Sequence, residues 1–324
     1  MSDPTRRHRL GGLEPDNLLA FLALLGLLRA IETARPDWRP RIAWDVERAP
    51  LRPALVLAEA GTNEEISQAA ADGATQLSAT YAFPAEDADI AAQKDLNYHA
   101  GYAQTLLRKI VVEENREHAD LWAALLSDLA TINGQTEPTP LCLLFGQGHQ
   151  HFLERLAMVP RTEAPPPRGR GRKAVMLTAA DTMQEALFQP WTRQDPTPGF
   201  RWDPAEDVRY ALQAGDPSDE KSTTQHGANR LAALGLPVFT AVPVQHGSRV
   251  RLQVLAGHFE RDFTLPWPIW RQPASLAGIR ALLSHPDLIA GATALRHLGV
   301  VQVRRARRIR NGRFNNFAPA EVIG

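Results

Sequence analysis

Two histidines stand two residues apart in Gly146-Gln147-Gly148-His149-Gln150-His151, with Glu154 close behind, and these types at this spacing can bind a metal. On an extended strand both imidazoles can face one ion. On a helix, residues two apart point about 200° from each other and cannot chelate together. There is no His-Glu-x-x-His pattern and no third ligand to name, so His149, His151 and Glu154 are candidate ligands that do not complete a site. The glycines can equally begin a helix or turn backbone amides toward a phosphate.

Other reactive chemistry finds less to work with. The chain has no Gly-x-Ser-x-Gly elbow, P-loop or dinucleotide-binding glycine pattern, and its single Cys142 lies in the apolar run Leu141–Phe145, where a thiol is unreactive. Glu86, Asp87 and Asp89 cluster as a solvated acidic face does, without a partner that would make a metal nuclease. No catalytic residue, metal or other cofactor is expected.

Cations offer a different chemistry. Six arginines fall within residues 304–313 and two phenylalanines follow, Phe314 and Phe317. As a strand this run puts alternate arginines on opposite faces, so at most half can address one ligand. Asn311-Gly312 suits a tight turn that brings Arg310 and Arg313 together. Arginine forks bind phosphate at two points and an exposed phenylalanine can stack on a base, which makes Arg307, Arg308, Arg310, Arg313 and Phe314 candidate nucleic-acid contacts. A basic edge strand with both phenylalanines in the core explains the same pattern. A second basic run, Arg168, Arg170, Arg172 and Lys173, follows three prolines and can track a phosphate backbone or keep a linker solvated. Trp267 and Trp270 flank Pro268 and precede Arg271; this segment reads as a loop that either binds a partner or plugs the end of a sheet.

The elements that must position these residues are legible from periodicity and caps. Asp16 or Asn17 can cap an apolar helix beginning at Leu18, with Gly26 leaving room for a neighbouring backbone. Helical spacing continues over 63–71, 95–112, 116–132, 150–158, 179–188, 225–234 and 275–284, the last capped by serine and stopped by Pro286. Alternation predicts strands over 41–46, 238–244, 250–255, 259–265 and 300–307, and Leu141–Phe145 reads as a buried strand. Asp203 with Pro204 at the first turn starts a further short helix. The fold class is α+β: a mainly helical domain over 1–160, a Pro/Gly/Arg-rich linker or exposed loop over 161–173, and an α+β domain over 174–324 with a small, mostly antiparallel sheet.

Composition bounds the class. The 324 residues carry 36 basic and 36 acidic side chains, so any nucleic-acid contact must come from local patches. One cysteine fits a reducing, cytoplasmic setting. The apolar run Leu18–Leu28, about 11 residues against the roughly 20 that span a bilayer, predicts neither a membrane segment nor a signal peptide.

Several blocks then line up in order: Gly12-Leu13-Glu14-Pro15-Asp16-Asn17, Phe200-Arg201-Trp202-Asp203-Pro204, Asp216-Pro217-Ser218, His226-Gly227-Ala228-Asn229-Arg230-Leu231-Ala232-Ala233-Leu234-Gly235-Leu236-Pro237, Trp267-Pro268-Ile269-Trp270 and the C-terminal arginine run. Together they resemble the accessory proteins of subtype I-G (formerly I-U) CRISPR systems, either the large-subunit-like family or the helicase-nuclease-extension family. The resemblance implies a non-catalytic component of an antiviral effector, with other CRISPR-associated subunits and guide RNA or target DNA as partners. Two alternatives stay open: a metal-dependent enzyme centred on the histidine segment, and a protein-only adaptor to the helicase-nuclease.

Overall fold

The structure, a computed structural model, describes residues 5–82, 96–144, 151–169, 171–206, 223–311 and 314–324, apart from the side chains of 311 and 314. Strands β1 (Thr5–Arg9), β2 (Arg41–Trp44) and β3 (Pro53–Gly61) form an antiparallel sheet in the order β1-β3-β2. Helix α1 (Leu18–Ala34) runs between the first two, and α2 (Asn63–Ser78), α3 (Ala100–Val112) and α4 (Arg116–Leu125) follow. A short hairpin of β4 (Thr131–Ile132) and β5 (Gln135–Thr136) leads toward α5 (Phe152–Met158), α6 (Ala179–Phe188) and α7 (His226–Gly235).

The rest of the chain is richer in strands. A two-stranded hairpin, β6 (Ala241–His246) and β7 (Arg249–Val254), precedes β8 (His258–Phe259) and β9 (Phe263–Trp270). Helices α8 (Leu276–Leu283) and α9 (Ala292–Leu295) lead to the twelve-residue β10 (Val300–Asn311), then β11 (Phe314–Phe317) and β12 (Glu321–Ile323). The second sheet is antiparallel in the order β11-β10-β9-β8, with β12 also on β10. The protein is therefore α+β, as its periodicity predicts.

Glycine decides how the helices pack. A Cβ on Gly26 of α1 would sit 1.8 Å from the Leu231 carbonyl oxygen of α7, and one on Gly235 of α7 would sit 2.2 Å from the Leu22 oxygen of α1. The two backbones thus touch, and only hydrogen side chains permit it. The same device seats α2 on α1, where Gly73 lies against the Ala30 backbone, and α7 on α6, where Gly227 lies against Thr182. Arg29 adds a polar tie, donating to the Leu234 carbonyl of α7 and pairing with Glu117 of α4.

This bundle joins both halves of the chain in one hydrophobic core, from Leu10 to Ala320. No residue of the segment 161–173 belongs to that core, and Arg168 and Val175 exchange both backbone hydrogen bonds, at 2.9 and 2.8 Å. Side-chain caps set the helix starts. Asn17 accepts from the Ala20 amide, and Thr62 with Glu65 and Thr178 with Asp181 form reciprocal capping boxes.

Three local expectations are corrected. Trp267-Pro268-Ile269-Trp270 is not a loop but the end of β9, buried at every position, because β10 pairs along it from Val300 to Arg307. Leu141–Leu144 is buried but joins no ladder among the described residues; Cys142 closes a turn on Thr139, and Leu141 gives its carbonyl to the Trp202 indole, 2.8 Å away. The helix expected over 116–132 stops at Leu125, after which the chain turns into the β4–β5 hairpin.

The glycine crossing gives a direct test. Gly26→Ala should lower stability by about 1 to 3 kcal/mol or more through overpacking, read by urea denaturation. Gly278→Ala, on α8 where a new Cβ meets nothing closer than 3.6 Å, should instead raise it by about 0.5 kcal/mol.

Candidate nucleic-acid interface

The arginines of β10 part company as its pleat requires. Arg305 and Arg307 line a cleft of about 470 Å³ together with Glu260 and Glu321, whereas Arg308 and Arg310 line a neighbouring cleft of about 620 Å³ with Asn315 and Ile132, and Asp262 lines both. Arg305 is occupied, donating to Glu321 at 2.7 Å. Arg307 is exposed, and among the described residues its guanidinium makes no hydrogen bond or ion pair. Arg310 is also exposed, opposite Asn315 in the β10–β11 register.

Arg308 is half-buried and tied to the fold. Its guanidinium lies 5.8 Å from the centre of the Phe263 ring and donates to the Pro140 carbonyl, so it braces the sheet against the 137–142 segment. Burial, with Arg251 nearby, lowers its pKa, the reverse of what a solvent-facing phosphate ligand shows. Phe317 is wholly buried, edge-on to Phe263, and offers no base a platform. Arg313 and the Phe314 side chain lie outside the described residues.

The second basic run divides likewise. Arg168 is bidentate to Glu185 at 2.9 and 2.8 Å and also bonds Asp195 at 2.8 Å, which commits it to the fold rather than to a phosphate. Arg172 and Lys173 are exposed on a single 3-10 turn, Gly171–Lys173. Arg170 lies outside the described residues.

The tryptophans do not form a docking surface. Trp267 stacks on Phe21 of α1 with ring centres 5.1 Å apart, and Trp270 donates to the Ile42 carbonyl and meets Trp44 edge-on. Both are buried, while Arg271 beside them is exposed. Of the histidine segment, His151 is half-buried just before α5 and Glu154 is exposed on its first turn. Among the described residues no group of three or more metal-ligating side chains assembles, and His149, like Glu86, Asp87 and Asp89, lies outside them.

Sequence reasoning missed a buried polar cluster formed by the Trp202-Asp203 and His226–Arg230 blocks. Asp203 is shut from solvent; it accepts from the Asn17 amide and pairs with Arg193, 2.6 Å away, so the residue that caps α1 is itself held by a charged network. Asp195 receives Arg168 and the His226 amide. Arg230 is entirely buried with no acidic hydrogen-bond partner among the described residues, donating to the Pro160 carbonyl and the Thr75 hydroxyl, and burial pulls its pKa down to about 10. Glu206 accepts from the Arg201 amide, but its Oε1 is enclosed with no hydrogen bond among the described residues, and burial beside Asp203 pushes its carboxyl up to about 7. The only advance signal was the polar character of these blocks within apolar surroundings.

No family model, curated protein or solved structure matches the chain. Among the described residues no helix is long and apolar enough to cross a membrane.

Two measurements test the buried charges that hold the fold. Arg168→Ala should cost about 2 kcal/mol by stranding the buried Asp195 carboxylate, visible in denaturant melts. Glu206 supplies a pH signature: because its folded pKa lies above the ordinary 4.5, its stabilising contribution is complete below about 4.5 and is lost as pH rises to about 7. Glu206→Gln should remove that component from the stability profile across this window.

Proposed function

We propose that this protein is a non-catalytic accessory component of a type I-G CRISPR effector system that contacts guide RNA or target DNA, and other subunits of the complex, through exposed arginines at the end of its second sheet. The observation that carries the nucleic-acid part is the pair Arg307 and Arg310, both exposed on a strand that runs past the last residue of β9 paired to it, Thr264, and both beside clefts open to solvent. The sequence resemblance supplies the system. Most of its polar blocks are spent on architecture: Asp203, His226, Asn229 and Arg230 are buried among the helices. Polar residues spent on holding a scaffold together agree better with a subunit than with an enzyme built on those residues.

The net charge of zero suits this role. A protein that bound nucleic acid over its whole surface would carry a positive excess, whereas a subunit seated in a larger complex needs only a local strip of cations. The arginine strip is local in this sense, since Arg168, Arg305 and Arg308 are already committed to partners within the chain.

Salt titration tests the reading. Removing one arginine from a phosphate should reduce the slope of log affinity against log salt by roughly 0.7 to 0.9, with sequence preference unchanged. Arg307→Ala and Arg310→Ala should each show this with RNA or single-stranded DNA, in the assembled complex if the free chain binds too weakly. Unchanged slopes in folded variants would remove the strip from the nucleic-acid interface and leave the protein-adaptor role.

A further inference from the structure

We propose that the β6–β7 hairpin is the second wall of the Arg310 cleft, and that the ligand lying between the two walls is a single-stranded nucleic acid. This inference rests on the nucleic-acid reading of β10. The cleft of about 620 Å³ beside Arg310 does not end at the 132–142 segment. It meets a second cleft of about 390 Å³ there, and Ile132 and Glu137 line both. The far side of the second cleft is the β6–β7 turn, with His246, Arg249 and Arg251.

These far-side residues have different tasks. Arg251 bonds Glu137 at 2.8 Å and lies over the Phe259 ring, and Glu137 also accepts from the Leu252 amide at 2.9 Å. That carboxylate anchors the hairpin to the segment between the clefts, and Arg251 neutralises it there. Arg249, opposite His246 in the last pair before the turn, is exposed, and among the described residues its guanidinium makes no hydrogen bond or ion pair. The groove therefore has an arginine on each outer wall, an anchored carboxylate whose charge is already matched, the exposed Asp262 on the Arg310 side, and on its shared floor the apolar Ile132, 47% exposed.

Phosphates along the walls and bases against the floor describe a single strand, which can bend its backbone into a recess and present its bases. A duplex is a stiff rod with its bases turned inward, and only its phosphates would reach the rims. Neither wall was visible as part of a pair in the sequence, because 249 and 310 are separated by two helices and the whole of β9.

The test compares a short unstructured RNA, the single-stranded DNA of the same sequence and the corresponding duplex, titrated with salt against the full chain or its assembled complex. Arg249→Ala should reduce the salt slope on single strands by about 0.7, as Arg310→Ala does, and the double variant by about twice that. Arg41→Ala, an exposed arginine on β2 outside both clefts, should leave the slope unchanged. If Arg310→Ala lowers the slope and Arg249→Ala, with an unaltered circular-dichroism spectrum, does not, the second wall is refuted while the β10 reading stands. If neither changes it, the β10 reading falls and this inference with it. Duplex bound as tightly as single strands would overturn the single-strand assignment, and a difference between RNA and DNA would say which of the two the groove takes.

Discussion

The contact of α1 with α7, backbone against backbone at Gly26 and Gly235, is the constraint on which the remaining structure depends. Two helices that approach this closely fix each other's axial position to within a fraction of a residue, since any slip brings a side chain against a carbonyl. The α2 and α6 helices then have single seats, given by Gly73 and Gly227. Trp267 stacks on Phe21 of α1, so the central helix also sets where β9 lies and hence where β10 must run. The cationic strand is in this way aimed from a crossing of two glycines more than two hundred residues apart in sequence.

A second layer of control is polar. Asn17 caps α1 and at the same time donates to Asp203, which Arg193 neutralises, so the start of the central helix is tied to a segment far along the chain. Buried charges of this kind contribute little net stability when complete and cost several kcal/mol when one member is removed. Their effect is to make alternative packings expensive. The protein thus spends arginine in two ways: buried or paired, as in Arg168, Arg193, Arg230 and Arg308, to specify the fold, and exposed, as in Arg249 and Arg307, where the side chain is open to solvent.

Much of the fold was legible because it rests on local signals. The apolar run after Asn17, the capping residue Ser275 and the alternation in β7 and β10 report helices and strands without reference to the rest of the chain. Gly26 even announced a close approach, although not the helix that makes it. What was not legible depends on partners distant in sequence. β1 is polar, with Arg6, Arg7 and Arg9, and is a strand only because β3 offers it a ladder. Trp267 and Trp270 have the composition of an interface and the position of a core, and only the pairing of β9 with β10 decides between them. Among the arginines, charge density marked β10 as a cationic strand but could not separate Arg308, braced on Phe263 and Pro140, from its exposed neighbour Arg310.

The two hairpins also differ in how they would bear a load. β10 is hydrogen-bonded on both edges over Val303–Arg305, to β9 and to β12, so a pull along its axis is resisted by a row of bonds sharing the force in shear. Among the described residues β6 and β7 pair only with each other, and the outer strand β6 is exposed over most of its length. Force applied at that turn would peel its bonds in succession, with Glu137 as the first fixed point behind it. One arm is therefore a rigid post and the other a compliant one, and tension on anything held between them would be relieved by movement of the β6–β7 arm while β10 stays in place.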